Sequence, residues 1–436
     1  MDSIYVEDGI ADSVNTVGCL RWALAAAALA PGPTVSIEIK PKLEITVNSQ
    51  LYISSTAVPL SIYGNGATIT CSKPDAVSIF KFDACNVEIH ELCLDGEYQD
   101  MHGIIANTAT LRLYGMTLHD FSSTSTVVYG GAIHTVNTKL LLEKAKITDC
   151  KGFTGGGFCS AGGTFTMNRS VVSNCKAAAG GGGLLASCSF SIASSEIGNN
   201  SASQRGGGLE IESSATGSII SSLIRHNTVT GVVCGPPLMG GGGICSFDSN
   251  TKIINSTIAN NTCQTIGAGV HALCFKAPSS LTILNTTIAS NTNTSMEHGG
   301  GGVYADGLVP VVANTLISSN YSKFIGERSP DFVCVINGVL TPVKSGGGNI
   351  VSTGTFGFYQ PKDRIGTRAN PLMTGVLPLA NNGGSMLSMA IVPNSIAINN
   401  GLNSAVPIDI AYDQRGPPFP RTNGTVDTGS FEYKTA

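Results

Sequence analysis

The chain has 436 residues, of which 42% are hydrophobic and 12% are charged, and its formal net charge is -4. This apolar content and small net charge exclude an intrinsically disordered chain. The absence of a basic excess argues against a nucleic-acid partner. The longest apolar run, residues 19–30, is shorter than a membrane span and is interrupted by Arg21. We therefore predict a folded chain with no membrane span.

Residues 19–30, CLRWALAAAALA, are the most helix-like segment, and the following PGPTVSIEI ends the helix and enters the first strand. A short Ala-rich helix ahead of a solenoid would cover the open end of its core. We predict that residues 1–34 form such an N-terminal cap. Residues 35–129 alternate between apolar and polar positions, which predicts three to four less regular rungs, a rung being one full coil of the solenoid.

From residue 130 onward, a glycine motif that ends in an apolar residue recurs every 25 to 35 residues. The closing residues are Ile133, Phe158, Leu184, Leu209, Ile244, Val270 and Val303. Self-similarity at this period is typical of a solenoid. Glycine permits the sharp turn and the close backbone approach that stacked rungs require. We therefore interpret the motif as architecture and not as a nucleotide-binding loop.

A second motif lies between the glycine motifs and consists of an apolar residue followed three positions later by Cys or Asn. The later residues are Cys150, Cys175, Asn200, Asn227, Asn261, Asn291 and Asn320. Asn at the same corner of successive rungs can satisfy turn backbone groups and stack as a ladder. The runs between the motifs are short, alternating and β-branched, which is typical of strands. These patterns predict an all-β, single parallel β-helix over residues 35–350.

After about Gly348 the repeat pattern ends. The remaining sequence is rich in proline, aperiodic and only partly apolar. We predict that residues 351–436 form a loop-rich C-terminal cap that packs on the last rungs, because the open end of a solenoid core needs a cover.

The two ends and the repeats resemble known proteins. The segment GCLRWALAAAALAPGPTVSIEI resembles the start of bacterial extracellular β-helix proteins that begin with a CSLREA-type segment. The tail NPL…LANNGG…AIVPNSIAINNG…DQRG…DTGSFEY is similar to the choice-of-anchor Q region that ends many of them. The repeats are also similar to those of chlamydial polymorphic membrane proteins, with Ile or Val where those usually have Phe. The resemblance implies a right-handed parallel β-helix in an exported, surface-associated protein, and it implies no catalytic residues.

Sequons and cysteines favour an extracellular protein, although the chain opens without a signal-peptide pattern. The Asn-x-Ser/Thr sequons are at Asn168, Asn199, Asn255, Asn260, Asn285, Asn293, Asn320 and Asn423. The 13 cysteines lack CxxC or zinc-type spacing. A spacing of 29 residues separates Cys159 from Cys188 and also Cys245 from Cys274, which suggests disulfides between neighbouring rungs. Cys150 and Cys175 occupy equivalent corners, where they could pair or stack.

The residue after each closing apolar residue should point outward if the closing residue points inward. This outward column is His134, Cys159, Leu185, Glu210, Cys245, His271 and Tyr304. Glu210, Cys245 and His271 are candidate catalytic residues, because a thiol beside an imidazole and a carboxylate suits nucleophilic catalysis. Glu210 and Glu212 lie on one strand face near Arg205, and paired carboxylates suit glycoside hydrolysis.

Each of these candidates also has a structural interpretation. In it, the cysteines are buried or paired, and Glu210 and Glu212 lie on a solvated face with Arg205 as their partner. The remaining histidines are expected at surface or corner positions and not as metal ligands; they are His90, His102, His119, His226 and His298. We expect no cofactor and no metal.

The motifs of pectin-degrading hydrolases and a calcium-type Asp cluster are not found in the sequence. We predict a non-enzymatic extracellular or cell-surface protein that acts in adhesion, surface structure or glycan binding. Its expected partner is a polysaccharide or a cell-surface glycan, with self-assembly as a further option. The alternative is a polysaccharide lyase or glycoside hydrolase of the pectin-degrading β-helix type. Residues 225–243 and 291–302 would then form loops that wall the cleft.

Overall fold

The chain folds as an all-β, right-handed parallel β-helix, which confirms the predicted fold class. The structure is a computed structural model. It describes residues 2–30, 32–54, 58–72, 77–124, 126, 129–231, 238–297, 299–324, 331–354 and 357–434. Within the described part, no helix is long and apolar enough to cross a membrane.

The chain divides into two compact units, residues 1–178 with 182–189 and residues 179–181 with 190–436. Each unit is built of parallel sheets that the chain visits in rotation, so each strand pairs with its equivalent in the next rung. The strands Lys176–Ala179 and Ser189–Ala193 cross the division.

The first unit has three parallel sheets. Sheet 1 contains, in pairing order, Asp2–Val6, Val35–Ile39, Leu60–Tyr63, Asn86–His90, Thr110–Tyr114, Lys139–Glu143 and Thr164–Asn168. Sheet 2 contains Leu51–Ser54, Ser78–Asp83, His102–Asn107, Ile133–Val136, Phe158–Ala161 and Gly183–Ala186. Sheet 3 contains Glu44–Val47, Thr68–Cys71, Cys93–Asp95, Thr117–His119, Lys146–Thr148 and Val171–Ser173.

The second unit repeats these three sheets and has a fourth. Its sheet 1 contains Thr216–Ile220, Asn250–Ile254, Ser280–Leu284, Val311–Ala313 and Lys344–Gly347. Sheet 2 contains Leu209–Glu212, Ile244–Phe247, Val270–Leu273, Val303–Asp306, Phe332–Ile336 and the antiparallel Val339–Leu340. Sheet 3 contains Glu196–Gly198, Leu223–Arg225, Thr257–Ala259, Thr287–Ala289, Leu316–Ser318, Ile350–Val351 and Arg364–Ile365. Sheet 4 contains Ser201–Arg205, Thr228–Val229, Thr262–Cys263, Thr292–Asn293 and Tyr321–Ser322.

The N-terminal cap contains the predicted helix, Leu20–Leu29, and a strand that was not predicted, Asp2–Val6. Leu20, Ala23 and Ala27 are the buried residues of the helix. The strand pairs in parallel with Val35–Ile39. A five-residue segment is too short for its alternation of apolar and polar residues to predict a strand. The strand that it pairs with lies more than 30 residues further along the chain.

The glycine motif has the predicted architectural role. At the first glycine of each motif φ lies between 60° and 88°, a region that side chains disfavour; these glycines are Gly130, Gly155, Gly180, Gly206, Gly241, Gly267 and Gly300. The second glycine is needed for close packing, because a Cβ on Gly207 would lie 2.3 Å from the carbonyl oxygen of Gly242 in the next rung.

The alignment of the third motif differs by one residue from the prediction. Gly183, and not Leu184, lies opposite Phe158, so Leu184 lies opposite Cys159 in the column assigned to Leu185. A Cβ on Gly183 would lie 2.1 Å from the Phe158 ring, which stacks on Phe165 at 4.6 Å between centroids. The large ring of one rung therefore requires glycine in the next.

The predicted asparagine ladder is present in the second unit. We use the term Asn ladder for Asn200, Asn227, Asn261, Asn291 and Asn320. The backbone N–H and the side-chain Nδ2 of Asn227 both donate to Oδ1 of Asn261 at 3.0 Å, and Asn261 bonds to Asn291 in the same way at 3.0 and 2.9 Å. Nδ2 of Asn261 also donates to the carbonyl oxygen of Ile224 at 3.0 Å. The buried Asn261 side chain thus joins its own rung to the rungs on both sides.

The C-terminal segment contains few regular elements, as predicted: the strand Arg364–Ile365 of sheet 3, the antiparallel pair Val376–Ala380 and Ser388–Ile391, and the short 3₁₀ helix Asn403–Ala405. It packs on sheet 3 of the second unit through an apolar cluster and through hydroxyl contacts. The apolar cluster contains Leu316, Ile350, Ile391, Ala397 and Phe431. The Thr257 hydroxyl contacts the Gln414 side chain and lies 2.8 Å from the Ser430 hydroxyl.

The DQRG sequence of the tail forms a buried ion pair. The Arg415 guanidinium binds both carboxylate oxygens of Asp413 and lies between the rings of Phe419 and Phe431, at 3.8 Å from each centroid. Arg421 is fully buried and donates to the carbonyl oxygen of Asp427 at 2.7 Å. The Arg415 guanidinium is thus fully paired, whereas Nε and Nη1 of Arg421 have no hydrogen-bond partner among the described residues and Glu432, 3.4 Å from its Nη2, supplies the opposite charge.

The predicted inter-rung disulfides are not formed, and the cysteines among the described residues form no disulfide; Cys234 lies outside them. Cys245 lies opposite His271, so Cys274 is displaced along the strand by three residues, roughly 10 Å. Cysteines whose Cα atoms are more than about 7 Å apart cannot be bridged. The spacing of 29 residues is longer than the actual register of 26, which explains the error.

Half of the sequons are buried. Asn255, Asn285, Asn293 and Asn320 have at most 7% exposure, and the Asn255 side chain donates to the carbonyl oxygen of Tyr412 at 3.0 Å. A glycan on such an amide would displace these contacts. The four buried sequons therefore give no support to a glycoprotein.

We expect Asn261→Ala to lower the free energy of unfolding by at least ~3 kcal/mol. The substitution removes the acceptor of two Asn227 donors and the donor to Ile224, and each buried group left unpaired costs about 1–3 kcal/mol. Urea denaturation measures the change. Asn250→Ala is the control, because Asn250 has only exposed side-chain contacts and its loss should cost under ~1 kcal/mol. Equal losses in both variants would contradict a stabilising role of the Asn ladder.

Candidate functional site

The structure brings together the candidate catalytic residues of the second unit. Glu210 lies opposite Cys245, Cys245 lies opposite His271, and His271 lies opposite Tyr304, each in the next strand of sheet 2. The predicted column is therefore contiguous, with about 4.8 Å between neighbouring rungs.

This column does not face solvent, contrary to the expectation from the sequence. Glu210 and Cys245 are fully buried, and His271 is 1% exposed. The segment that precedes each glycine motif covers the column, as the contacts of Arg205 with Glu210 and of Ile266 with Tyr304 show. That segment includes sheet 4, whose two- to five-residue strands are too short to recognise from alternation.

Arg205 holds the two glutamates, which confirms that they share one strand face. Its Nε bonds to Glu210, and its Nη2 lies 3.4 Å from Oε2 of Glu212. Burial raises the pKa of Glu210 to about 8 against the opposing effect of Arg205. Because Glu210 is enclosed and both carboxylates contact the same guanidinium, this pair is not arranged to receive a glycosidic bond.

Cys245 and His271 do not form a nucleophile and base. Burial, together with the nearby Glu210, raises the pKa of the Cys245 thiol far above its ordinary value. Burial lowers the pKa of His271 to about 4, and neither ring nitrogen has a hydrogen-bond partner among the described residues. A neutral thiol beside an imidazole that does not contact it lacks the activation that nucleophilic catalysis requires.

A solvent-facing site that the sequence analysis missed lies on sheet 1 of the first unit. Tyr63, His90 and Tyr114 occupy one position in three successive strands and form what we term the aromatic ladder. The His90 ring stacks between Tyr63, at 4.8 Å and 17°, and Tyr114, at 4.7 Å and 13°. The residues that precede each of the three are fully buried, so alternation directs the three rings outward.

Polar residues continue this column at both ends. Glu38 precedes Tyr63 in register and lies opposite Tyr5, whose side chain is 63% exposed. Glu143 follows Tyr114 and lies 2.7 Å from Nε of the exposed Arg169. The aromatic ladder is therefore bordered by carboxylates along the solenoid axis.

A polar cluster lies beside the aromatic ladder on the same face. The Nη1 atom of Arg112 donates to Oε1 of Glu88 at 3.2 Å and to Oδ1 of Asn86 at 3.0 Å. The Glu88 and Arg112 side chains are each 36% exposed. Oε2 of Glu88 lies 3.7 Å from Nε2 of His90, which places this cluster directly against the ladder.

This face offers ring edges, Tyr hydroxyls, a guanidinium and carboxylates to solvent. Such a combination of apolar surface and hydrogen-bonding groups suits a polyhydroxylated ligand. It is less suited to proton transfer, since Nε2 of His90 is buried and has no hydrogen-bond partner among the described residues. The arrangement favours binding over acid–base chemistry.

The sequence contains a signal for the aromatic ladder, in SIYG at 61–64, EIHE at 88–91 and RLYG at 112–115. These segments are spaced by 27 and 24 residues and precede the glycine motifs that set the register elsewhere. Without that register, the sequence predicts only a surface or corner position for His90 and not its stacking between two tyrosines.

The other histidines differ in how far they are exposed to solvent. His102 is buried, and its Nε2 lies 3.1 Å from the Ser123 hydroxyl, whereas His226 is partly exposed beside Arg225. His298 lies outside the described residues, as do residues 232–237 of the proposed cleft loops. Residues 228–229 and 292–293 of those loops are strands of sheet 4.

We expect His271→Leu to stabilise the chain most strongly at acidic pH. A pKa of about 4 in the folded state lies below the ordinary value of 6.5, so the unfolded state binds the proton first. The wild-type side chain therefore loses stability as the pH falls from about 6.5 toward 4, by up to roughly 1.4 kcal/mol per pH unit. Leu removes this loss and two unpaired nitrogens.

Urea denaturation at pH 7.5 and pH 5.0 measures this effect. His226→Asn serves as the comparison: burial and the neighbouring Arg225 lower the pKa of His226 as well, but this ring is much less buried, so its removal should change the pH dependence less than His271→Leu does, and Asn tolerates the positive φ of 52°. An equal pH dependence of stability in wild type and His271→Leu would contradict the burial of a neutral imidazole.

Comparison with known proteins identifies the fold. No protein-family model and no curated protein matches the sequence. The crystal structure of pectate lyase Pel9A is similar over 100% of this chain and 97% of that one, with 14% identity and a TM-score of 0.50. The Dettilon tailspike protein shares 12% identity over 84% of this chain and 68% of that one, with a TM-score of 0.48. At such identities the likeness to pectate lyase shows the parallel β-helix fold alone.

Proposed function

We propose that the chain is a non-enzymatic, extracellular or cell-surface β-helix protein that binds a polysaccharide or a cell-surface glycan. Its binding face is the aromatic ladder of Tyr63, His90 and Tyr114 together with Glu88 and Arg112. The observation that carries the proposal is accessibility. The three rings are partly exposed and the Glu88 and Arg112 side chains are each 36% exposed, whereas the column of Glu210, Cys245 and His271 is enclosed.

The aromatic ladder is preorganised for binding. Each ring is fixed by stacking on its neighbour at 4.7–4.8 Å, which matches the spacing of the strands that carry them. A side chain that is already immobile loses little conformational entropy when a ligand binds. The ion pair of Arg112 with Glu88 likewise holds donors and acceptors in place beside the rings.

The shape of the face favours a polymer over a small molecule. The register column from Tyr5 through Glu38, the aromatic ladder and Glu143 follows the solenoid axis. Its five inter-rung steps of about 4.8 Å span roughly 24 Å. A linear chain lying along this column would contact successive rungs in the same way.

The shared fold is compatible with this class of ligand, because pectate lyase is by its name an enzyme of pectate. The fold does not carry that activity over to this chain. An exported location rests on the resemblance of the two ends of the chain to extracellular β-helix proteins.

The alternative, a polysaccharide lyase or glycoside hydrolase, is favoured by one observation. Glu88, His90 and Arg112 bring a carboxylate, an imidazole and a guanidinium together on one exposed face. The burial of Nε2 of His90 and the engagement of Glu88 by Arg112 oppose this function. Product release distinguishes it from binding alone.

We expect Tyr63→Ala and Tyr114→Ala each to weaken glycan binding about 3- to 10-fold, because each removes an aromatic contact of about 0.5–1.5 kcal/mol. Affinity electrophoresis against a panel of neutral and acidic polysaccharides measures the change. Tyr321→Ala is the matched control, since Tyr321 is a 56% exposed tyrosine on sheet 4 of the second unit. Equal binding of the polysaccharides by Tyr63→Ala, Tyr114→Ala and Tyr321→Ala would contradict the proposed binding face.

The same panel tests for catalysis. We expect no reducing ends and no unsaturated products from any polysaccharide, with or without calcium. Product release that Glu88→Gln abolishes would overturn the non-enzymatic proposal and favour the lyase or hydrolase. Release that depends on Glu210, Glu212 or His271 would show that the enclosed column opens.

A further inference from the structure

A second polar cluster lies on a different sheet of the first unit and is independent of the glycan proposal. Asp95 and His119 end two neighbouring strands of sheet 3, where they lie directly opposite each other. Asp120 follows His119 at the corner of the rung with a φ of 60°. The three side chains are half-buried on the outer face of the sheet.

The donor atoms of this cluster converge. Nδ1 of His119 lies 2.7 Å from Oδ2 of Asp120 and 3.6 Å from Oδ1 of Asp95. One ligand atom from each of the three residues lies within 4.8 Å of the other two. The 3.6 Å separation is close to the edge of a tetrahedral coordination sphere whose ligands lie about 2.0–2.2 Å from the ion, whereas the 2.7 Å separation is a hydrogen-bond distance that would lengthen when an ion binds.

The other imidazole nitrogen is also engaged. Nε2 of His119 lies 3.4 Å from Sγ of Cys93, the residue two positions before Asp95. Histidines that bind metals usually have a second partner on the ring nitrogen that does not bind the ion, which fixes the ring orientation. Cys93 therefore directs Nδ1 of His119 toward the two carboxylates.

The surroundings of the cluster are acidic. Asp95 and Asp120 both lie within 3.6 Å of Nδ1 of His119, and Glu97 follows two residues after Asp95. The Tyr98 hydroxyl bonds to Asp120. Oδ1 of Asp95 also accepts a hydrogen bond from the backbone of Glu97 at 2.9 Å, which orients that carboxylate. A bound cation would offset the repulsion between the carboxylates.

We propose that Asp95, His119 and Asp120 form a binding site for one divalent transition-metal ion, with Cys93 as the positioning residue behind the imidazole. The protein supplies one nitrogen and two carboxylate oxygens, a set suited to Zn²⁺ or Mn²⁺. Ca²⁺ prefers an all-oxygen shell of six to eight ligands and binds more weakly. Three protein ligands leave coordination positions for water or for an oxygen of a ligand.

The competing explanation is an imidazolium ion paired with two carboxylates, which needs no metal. The two explanations differ in a measurable way. An ion pair binds no Zn²⁺ beyond the background of surface groups, whereas the proposed site binds one ion per chain and loses it when any ligand is changed.

Isothermal titration of the full chain with ZnCl₂ and MnCl₂, after treatment with a chelator and its removal, tests the proposal. We expect one site per chain for the wild type. Asp95→Asn, His119→Gln and Asp120→Asn should each weaken binding by at least about 10-fold, equivalent to about 1.4 kcal/mol. CaCl₂ should bind at least about 10-fold more weakly than ZnCl₂.

Asp149→Asn is the matched control. Asp149 lies at the next corner with a φ of 57°, close to the 60° of Asp120, and Asn tolerates both. It should retain the wild-type affinity. Circular dichroism of each variant confirms folding, and Co²⁺ provides an absorption band that should be lost with His119→Gln. Wild-type affinity in the three ligand variants, or no Zn²⁺ binding by the wild type, would overturn the proposal.

Discussion

The rest of this structure depends on the stacking of equivalent residues in successive rungs. Parallel strands about 4.8 Å apart place each side chain directly over the side chain at the same position of the neighbouring rung. Each residue must therefore pack against, or bond to, the residues above and below it. Asn does so because its amide is both donor and acceptor, and Asn261 uses both functions. Phe158 shows the converse, since its ring leaves room only for Gly183 in the next rung.

The stacking of equivalent residues also produces two kinds of outer face, one covered by a further strand and one partly open to solvent. Where an additional strand covers the outer face, as sheet 4 covers the column of Glu210, Cys245 and His271, the stacked polar groups are buried and their titration shifts strongly. Where the described residues leave the outer face partly open, as at Tyr63, His90 and Tyr114, stacking gives a rigid, partly exposed column. The solvent exposure of a column therefore distinguishes the candidate sites of this chain more clearly than the types of residue in the column do.

The two outer faces of the first unit have different chemistry. The face of sheet 1 combines aromatic rings with a neutralised ion pair of Arg112 and Glu88, which suits an uncharged or weakly charged glycan. The corner of sheet 3 places two carboxylates against one imidazole, which suits a cation. A solenoid can carry such sites separately because each face is set by its own column of residues.

The sequence by itself determined the β-helix, the role of the glycine motifs and the Asn ladder, because in each of them one residue type recurs at the same position of successive rungs; it determined the cap helix because that segment is Ala-rich and is followed by proline. Only the tertiary structure decided which columns are covered, that Cys245 and Cys274 are too far apart to bridge, and that Tyr63, His90 and Tyr114 stack. These three features depend on the exact register between rungs at positions where no sequence motif is repeated. A shift of a single position, as at Gly183, changes which side chains meet.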